Sequence, residues 1–197
     1  MKSFDLNVTK RTSLTKQDTK KLRNEGMVPC VMYGGNENLH FFAPVLDFRG
    51  LVYTPEVFTV NIHIDGKTHQ AVMQEIQFHP VSDALMHIDF MELNEGKPVV
   101  MNIPVKINGT SEGQRQGGKL ITKVRKLKVR ALASHLPDAV NVDIQSLQIG
   151  QSVRVGDLKI DGVEFLDSPN NILVGVRTTR NVVETPGGDA KAAAAAK

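Results

Sequence analysis

Residues 79–90, HPVSDALMHIDF, set two histidines and two aspartates among apolar residues. From Met86 onward the stretch alternates. Met86, Ile88 and Phe90 fall on one side of an extended strand, and His87 and Asp89 on the other. An imidazole displayed beside a carboxylate suits a metal ion, a substrate bond or a macromolecular surface. As metal ligands, His87 and Asp89 make at most half a site. His79 would complete it only if the intervening chain folded back, and zinc sites usually show denser ligand clusters. As catalysts, they lack an evident nucleophile or a phosphate-cradling glycine loop. The plainest reading is a surface pair in which Asp89 orients the ring.

The elements that must carry this pair read as short strands. Phe4, Leu6 and Val8 alternate with polar residues. Phe58, Val60, Ile62 and Ile64 do the same and run into Asp65-Gly66, a strong hairpin signal. The return strand spans 68–78, and the opening stretch becomes the last strand of this half, ending near Glu92. Gln77 and His79 share a face of the return strand. Gln74 has the opposite parity, so a bulge or a partner strand is needed to bring it round.

Residues 94–98, NEGKP, form a turn or linker, after which a second series of strands begins. Met101, Ile103, Val105 and Ile107 alternate up to Asn108-Gly109. Further short apolar runs follow at 140–144, 153–155 and 172–176. Frequent turn signals between short strands predict β packing in both halves, with a boundary near residue 93. In KLITKVRKLKVR, six basic residues occur without an acid and the apolar parity flips, which predicts a bulge or turn near Arg125-Lys126. This strip could meet RNA or a neighbouring protein, or be a solvated strand face. Residues 181–197 lack apolar periodicity and read as a flexible tail.

The 197 residues are 41% hydrophobic, with no tryptophan and one cysteine, Cys30. No run approaches the ~20 apolar residues of a membrane helix, and the first residues lack the apolar core of a secretory signal. A single cysteine excludes an internal disulfide and a cysteine-rich zinc site. A cytosolic protein is the simplest expectation. The net charge of +3 is unevenly spread: residues 1–33 carry seven basic and three acidic side chains, and residues 34–92 carry two and eight. A basic leading segment on an acidic body suits a focused anionic partner.

That leading segment contains TKQDTKKLRNEGMVP. Thr15 and Asp18 resemble a capping box, Gly26 can end the helix, and Pro29 follows. Leu22 is the only apolar residue in about ten, so burial alone does not stabilise such a short helix. Lys16, Thr19, Lys20 and Arg23 share one face at helical spacing, with Lys21 to one side and Arg11 just ahead. The expectation is a helix that docks its cationic face onto phosphates and depends on them for its order.

The run KKLRNEGMVPCVMYGG resembles the bacterial large-subunit ribosomal protein family numbered twenty-five, in its long two-domain, general stress (Ctc) form. The shared pattern is a basic pair, Leu22-Arg23, Gly26, Val28-Pro29 and Tyr33-Gly34. A second signature appears as Gln74, Gln77, His79-Pro80, His87, Asp89 and Phe90, and IPVKINGTSEGQRQGGKL resembles the start of the family's C-terminal domain. The resemblance covers about residues 1–180. It implies an N-terminal six-stranded β-barrel with short helices over 1–92 and a C-terminal β-rich domain over 93–180. It also implies a non-enzymatic role without cofactors: binding 5S ribosomal RNA at its loop E region, as a structural part of the large ribosomal subunit. The C-terminal domain would be free to meet neighbouring ribosomal proteins, and the chain would be monomeric off the ribosome. The family's contact positions fall on Arg11, Lys16, Thr19, Lys20, Lys21, Arg23, Tyr33, Gln74, Gln77, His87 and Asp89. A basic pair that is often Arg-Arg is Lys-Lys here, which keeps phosphate contact but loses the planar fork of a guanidinium.

With RNA as partner, the opening pair has a consistent chemistry. Irregular internal loops and the shallow minor groove offer base edges and 2′-hydroxyls, and neutral His and Gln match both donors and acceptors. Asp only accepts, so it would meet an amino group or a hydroxyl. Two rivals remain at this level: a metal-dependent hydrolase on His79, His87 and Asp89, and a stress-related module that visits the ribosome transiently.

Overall fold

The computed structural model describes residues 2–35, 37–94 and 96–178. The first half contains strands β1 (Lys2–Asn7), β2 (Thr9–Lys10), β3 (Met27–Tyr33), β4 (Leu39–Pro44), β5 (Phe58–Ile64), β6 (Lys67–Phe78) and β7 (Leu85–Glu92). Helix α1 (Lys16–Asn24) precedes β3, and a 3-10 turn runs into α2 (Arg49–Val52) after β4. The strand order is β1-β5-β6-β7-β3-β4-β2. Only Val8 separates β1 from β2, yet β1 pairs with β5 and β2 pairs with β4. One interrupted strand thus joins both ends of the sheet and closes it. Counted that way, the barrel has the six strands expected.

Alternation explains what fills it. Leu6, Cys30, Met32, Phe41, Val60, Ile62, Ile88 and Phe90 point inward and are buried, and Phe48 and Leu51 from the turn and α2 join the same core. The β5–β6 hairpin turns at Asp65 and Gly66, with φ of 49° and 78°. Two successive positive φ values match the twist of the strands they connect, which is why Asp-Gly suits this turn.

The second half contains β8 (Val99–Asn108), α3 (Glu112–Arg115), β9 (Lys119–Thr122), β10 (Lys126–Ala131), β11 (Val140–Asp143), β12 (Ser152–Arg154), β13 (Val163–Phe165) and β14 (Ile172–Arg177). They form a four-stranded sheet, β11-β8-β10-β13, and a three-stranded one, β12-β14-β9. The parity flip near Arg125-Lys126 is more than a bulge: β9 and β10 belong to different sheets, and residues 123–125 cross between them. Ser111 is fully buried and caps α3 in a reciprocal box with Gln114.

The halves touch. Val72, on the outer face of the barrel, is buried in the core of the second half, and Val57, Met91 and Leu93 pack against that core. The expected flexible tail of residues 181–197 lies outside the described residues.

Candidate nucleic-acid interface

The helix forms where the sequence places it, with no buried residue. Its start is held by polar groups. The Thr15 hydroxyl accepts from the Asp18 amide at 3.3 Å, and the Asp18 carboxylate accepts from the hydroxyls of Ser13 at 2.5 Å and Thr15 at 2.6 Å. These hydroxyl hydrogen bonds hold the Asp18 carboxyl below its ordinary pKa, aided by Lys21 and Arg11.

The helix is also tied to the barrel. Arg11 donates to the Thr19 hydroxyl at 2.9 Å, and the Arg23 Nε donates to the Met86 carbonyl at 3.1 Å. Met86 can accept because it lies outside both ladders of β7. The β6 pairing skips from His87 to Leu85, and the β3 pairing begins at Ile88. The expected dependence of α1 on an outside polyanion is therefore corrected. Side-chain hydrogen bonds into its own barrel replace the missing apolar stripe. The expected single cationic face divides as well. Thr19 and Arg23 are turned inward and half-buried, while Lys16, Lys20 and Lys21 are exposed.

Beside the helix lies the outer face of β3, β7 and β6. In the antiparallel β6–β7 ladder, Gln77 stands opposite His87 and Glu75 opposite Asp89, while Asp89 neighbours Val31 in the parallel β3–β7 ladder. Directly opposed residues share a face, so Gln77, His87, Glu75 and Asp89 form one cluster. Tyr33, the next outward residue of β3, borders it. The Tyr33 hydroxyl has its pKa raised, first by burial and then by the nearby carboxylates of Asp89 and Glu75. His87 Nδ1 lies 2.6 Å from Asp89 Oδ1. That oxygen is inaccessible and receives no hydrogen bond of proper geometry. The neighbouring imidazole offsets the cost of burying it, and the side chain, a quarter exposed, presents its other oxygen outward as an acceptor.

Two expected members lie elsewhere. Gln74 occupies a bulge between Met73 and Glu75, as its parity required, but its amide donates to the Val100 carbonyl at 2.7 Å. It ties the barrel to the second half instead of standing with Gln77. His79 follows the end of β6, so it does not share a strand face with Gln77. Its Nδ1 accepts from the amides of Val81 and Ser82 at 3.4 and 3.3 Å. His79 shapes the turn into β7. Among the described residues, no three His, Cys, Asp or Glu side chains are grouped to hold a metal ion.

Sequence reasoning missed Glu75 and Ser13. The signal for Glu75 was its spacing of two from Gln77, which puts both on one face. Ser13 lies five residues before Asp18, outside the usual capping pattern, so nothing local pointed to it.

Two family models match the chain: the Ribosomal L25p family over residues 6–90, and the C-terminal domain of ribosomal protein TL5 over residues 98–180. Large ribosomal subunit protein bL25 of Phocaeicola vulgatus is 43% identical over 187 residues, covering 91% of this chain and 94% of its own length. The protein of the same name from Cytophaga hutchinsonii is 40% identical over 191 residues, covering 97% and 100%.

The chain belongs to the ribosomal L25p family. Together, the two matched models give it the long form of that family, an L25p segment followed by a TL5-type C-terminal segment. The candidate interface lies within the L25p segment, and the basic strand β10 within the TL5-type one.

Proposed function

We propose that this L25p-family chain is a non-enzymatic, structural constituent of the large ribosomal subunit that binds 5S ribosomal RNA at its loop E region, in the cytoplasm where ribosomes work. Residues 1–92 form the RNA-binding domain and residues 93–180 a second domain directed at neighbouring components. The observation that carries the reading is the juxtaposition on one surface of two chemistries. Exposed Lys16, Lys20 and Lys21 offer point charges for phosphates. Next to them, Gln77, His87, Asp89, Glu75 and Tyr33 offer acceptors and switchable donors for base edges and 2′-hydroxyls. Carboxylates repel phosphate, so lysines position the RNA and the polar cluster reads it. Arg11, Thr19 and Arg23 serve by holding α1 in place.

Binding of 5S RNA across a salt titration tests both roles. Lys20→Ala with Lys21→Ala should weaken binding to every RNA alike and flatten the salt slope by about one to two. Asp89→Ala should cost about tenfold on native 5S RNA and much less on an RNA with a rearranged internal loop. Equal losses on the two RNAs would remove the reading role from Asp89. A wild-type chain that ignores 5S RNA would remove the function.

A further inference from the structure

The second half carries a charged surface that the proposed interface does not use. Along β10, Leu127, Val129 and Ala131 are buried, so alternation places Lys126, Lys128 and Arg130 together on the exposed face of the four-stranded sheet. Neighbours on this face are spaced two residues apart, roughly 6.8 Å. Cross-strand, Lys128 stands opposite Asn102 on β8, and Lys126 opposite Pro104. Arg130 is loosely engaged by Glu164 at 3.8 Å. Asp167 is taken up by the backbone amide of Lys128. Among the described residues, neither Lys126 nor Lys128 has an ion-pair partner.

The Lys126 end of this row borders the barrel. A groove of about 340 Å³ runs between the halves, lined by the 51–58 segment with Glu56, by Gln74, Glu75 and Phe78 of β6, and by Asn102 and Lys126 of the second half. Glu75 belongs to the polar cluster and Lys126 begins the lysine row, so one member of each lines the same cleft. The relation is fixed by Val72 buried across the seam and by the Gln74–Val100 hydrogen bond.

We infer that the Lys126–Lys128–Arg130 row is a second phosphate-binding surface, engaging the backbone of the same RNA whose bases the barrel face reads. The inference rests on the RNA-binding reading above. Charge complementarity sets the direction. Phosphates are repelled from the Glu75 and Glu56 side of the cleft and drawn to the β10 side, so a strand crossing the cleft turns its backbone to the lysines. Evenly spaced cations on a strand suit a backbone path and carry no base preference.

The test uses the full-length chain and 5S RNA, with affinity measured from low to moderate salt. Lys126→Ala with Lys128→Ala should flatten the slope of log affinity against log salt by about one to two. The charge-preserving pair Lys126→Arg and Lys128→Arg should keep the wild-type slope. Both lysines are exposed, and an unchanged melting temperature certifies the fold. An unaltered slope in the alanine variant, while Lys20→Ala with Lys21→Ala still flattens it, overturns this second surface alone. A wild-type chain that fails to bind 5S RNA overturns it together with the function it rests on.

Discussion

Single side chains in this protein are spent unevenly between holding the fold and facing outward. Arg23 is the clearest case of holding: its Nε reaches the carbonyl of Met86, a β7 residue outside both pairing registers. Arg23→Ala should lower stability by about 1–2 kcal/mol, read by denaturant unfolding, because a charge-assisted hydrogen bond is lost and the carbonyl is orphaned. Arg23→Lys should recover little, since an ammonium lacks the side-on Nε donor. Tyr33 is a case of facing outward. Burial raises its pKa most and the Asp89 and Glu75 carboxylates add to that. Glu75→Gln removes one of those charges, so phenolate forms more easily and the Tyr33 pKa falls part of the way back. Ultraviolet titration of that variant, with Tyr33→Phe as the blank, measures it. Cys30 has its pKa raised mainly by desolvation inside the barrel, so a thiol reagent should label it only as fast as the barrel opens.

At the scale of elements, α1 is a short helix stabilised by polar contacts at its start. Thr15→Ala removes the cap and should cost about 1 kcal/mol. The Asp18 carboxyl, lowered by Ser13 and Thr15, contributes stability that is complete above its unfolded pKa and is lost as pH falls through the lower folded one. Helical circular dichroism followed into acid should therefore drop later in the wild type than in Ser13→Ala. Much of this architecture was legible beforehand. Alternation located β5, β7 and β8, Asp65-Gly66 located the hairpin and with it β6, and Thr15 and Gly26 bracketed α1 within a residue or two. What stayed hidden depended on distant partners. The tether from Arg23 to Met86 spans 63 positions, and a carbonyl freed by a bulge has no local signature. The Gln74 bulge was required by parity, yet the amide's destination at Val100 was not readable, because it is set by how the halves meet. Residues 45–52 hid their turn and helix for a related reason: such short helical pieces carry little periodicity of their own.

At the scale of the molecule, the seam makes the two halves depend on each other. Val72 sits on a barrel strand but is buried in the other core. Val72→Ala should cost about 2–3 kcal/mol from lost burial and residual cavity. Calorimetry of the wild type should give one transition, whereas weakening the seam should separate the two melts. Barrel closure has its own consequence. A single residue, Val8, marks where the leading strand changes partners, from β5 on one side to β4 on the other. Removing the first ten residues would do more than shorten a terminus. It would strip the covering from two strands at once and leave their amide and carbonyl rows open to other chains. Such a truncated chain should self-associate, which sedimentation against the intact chain measures.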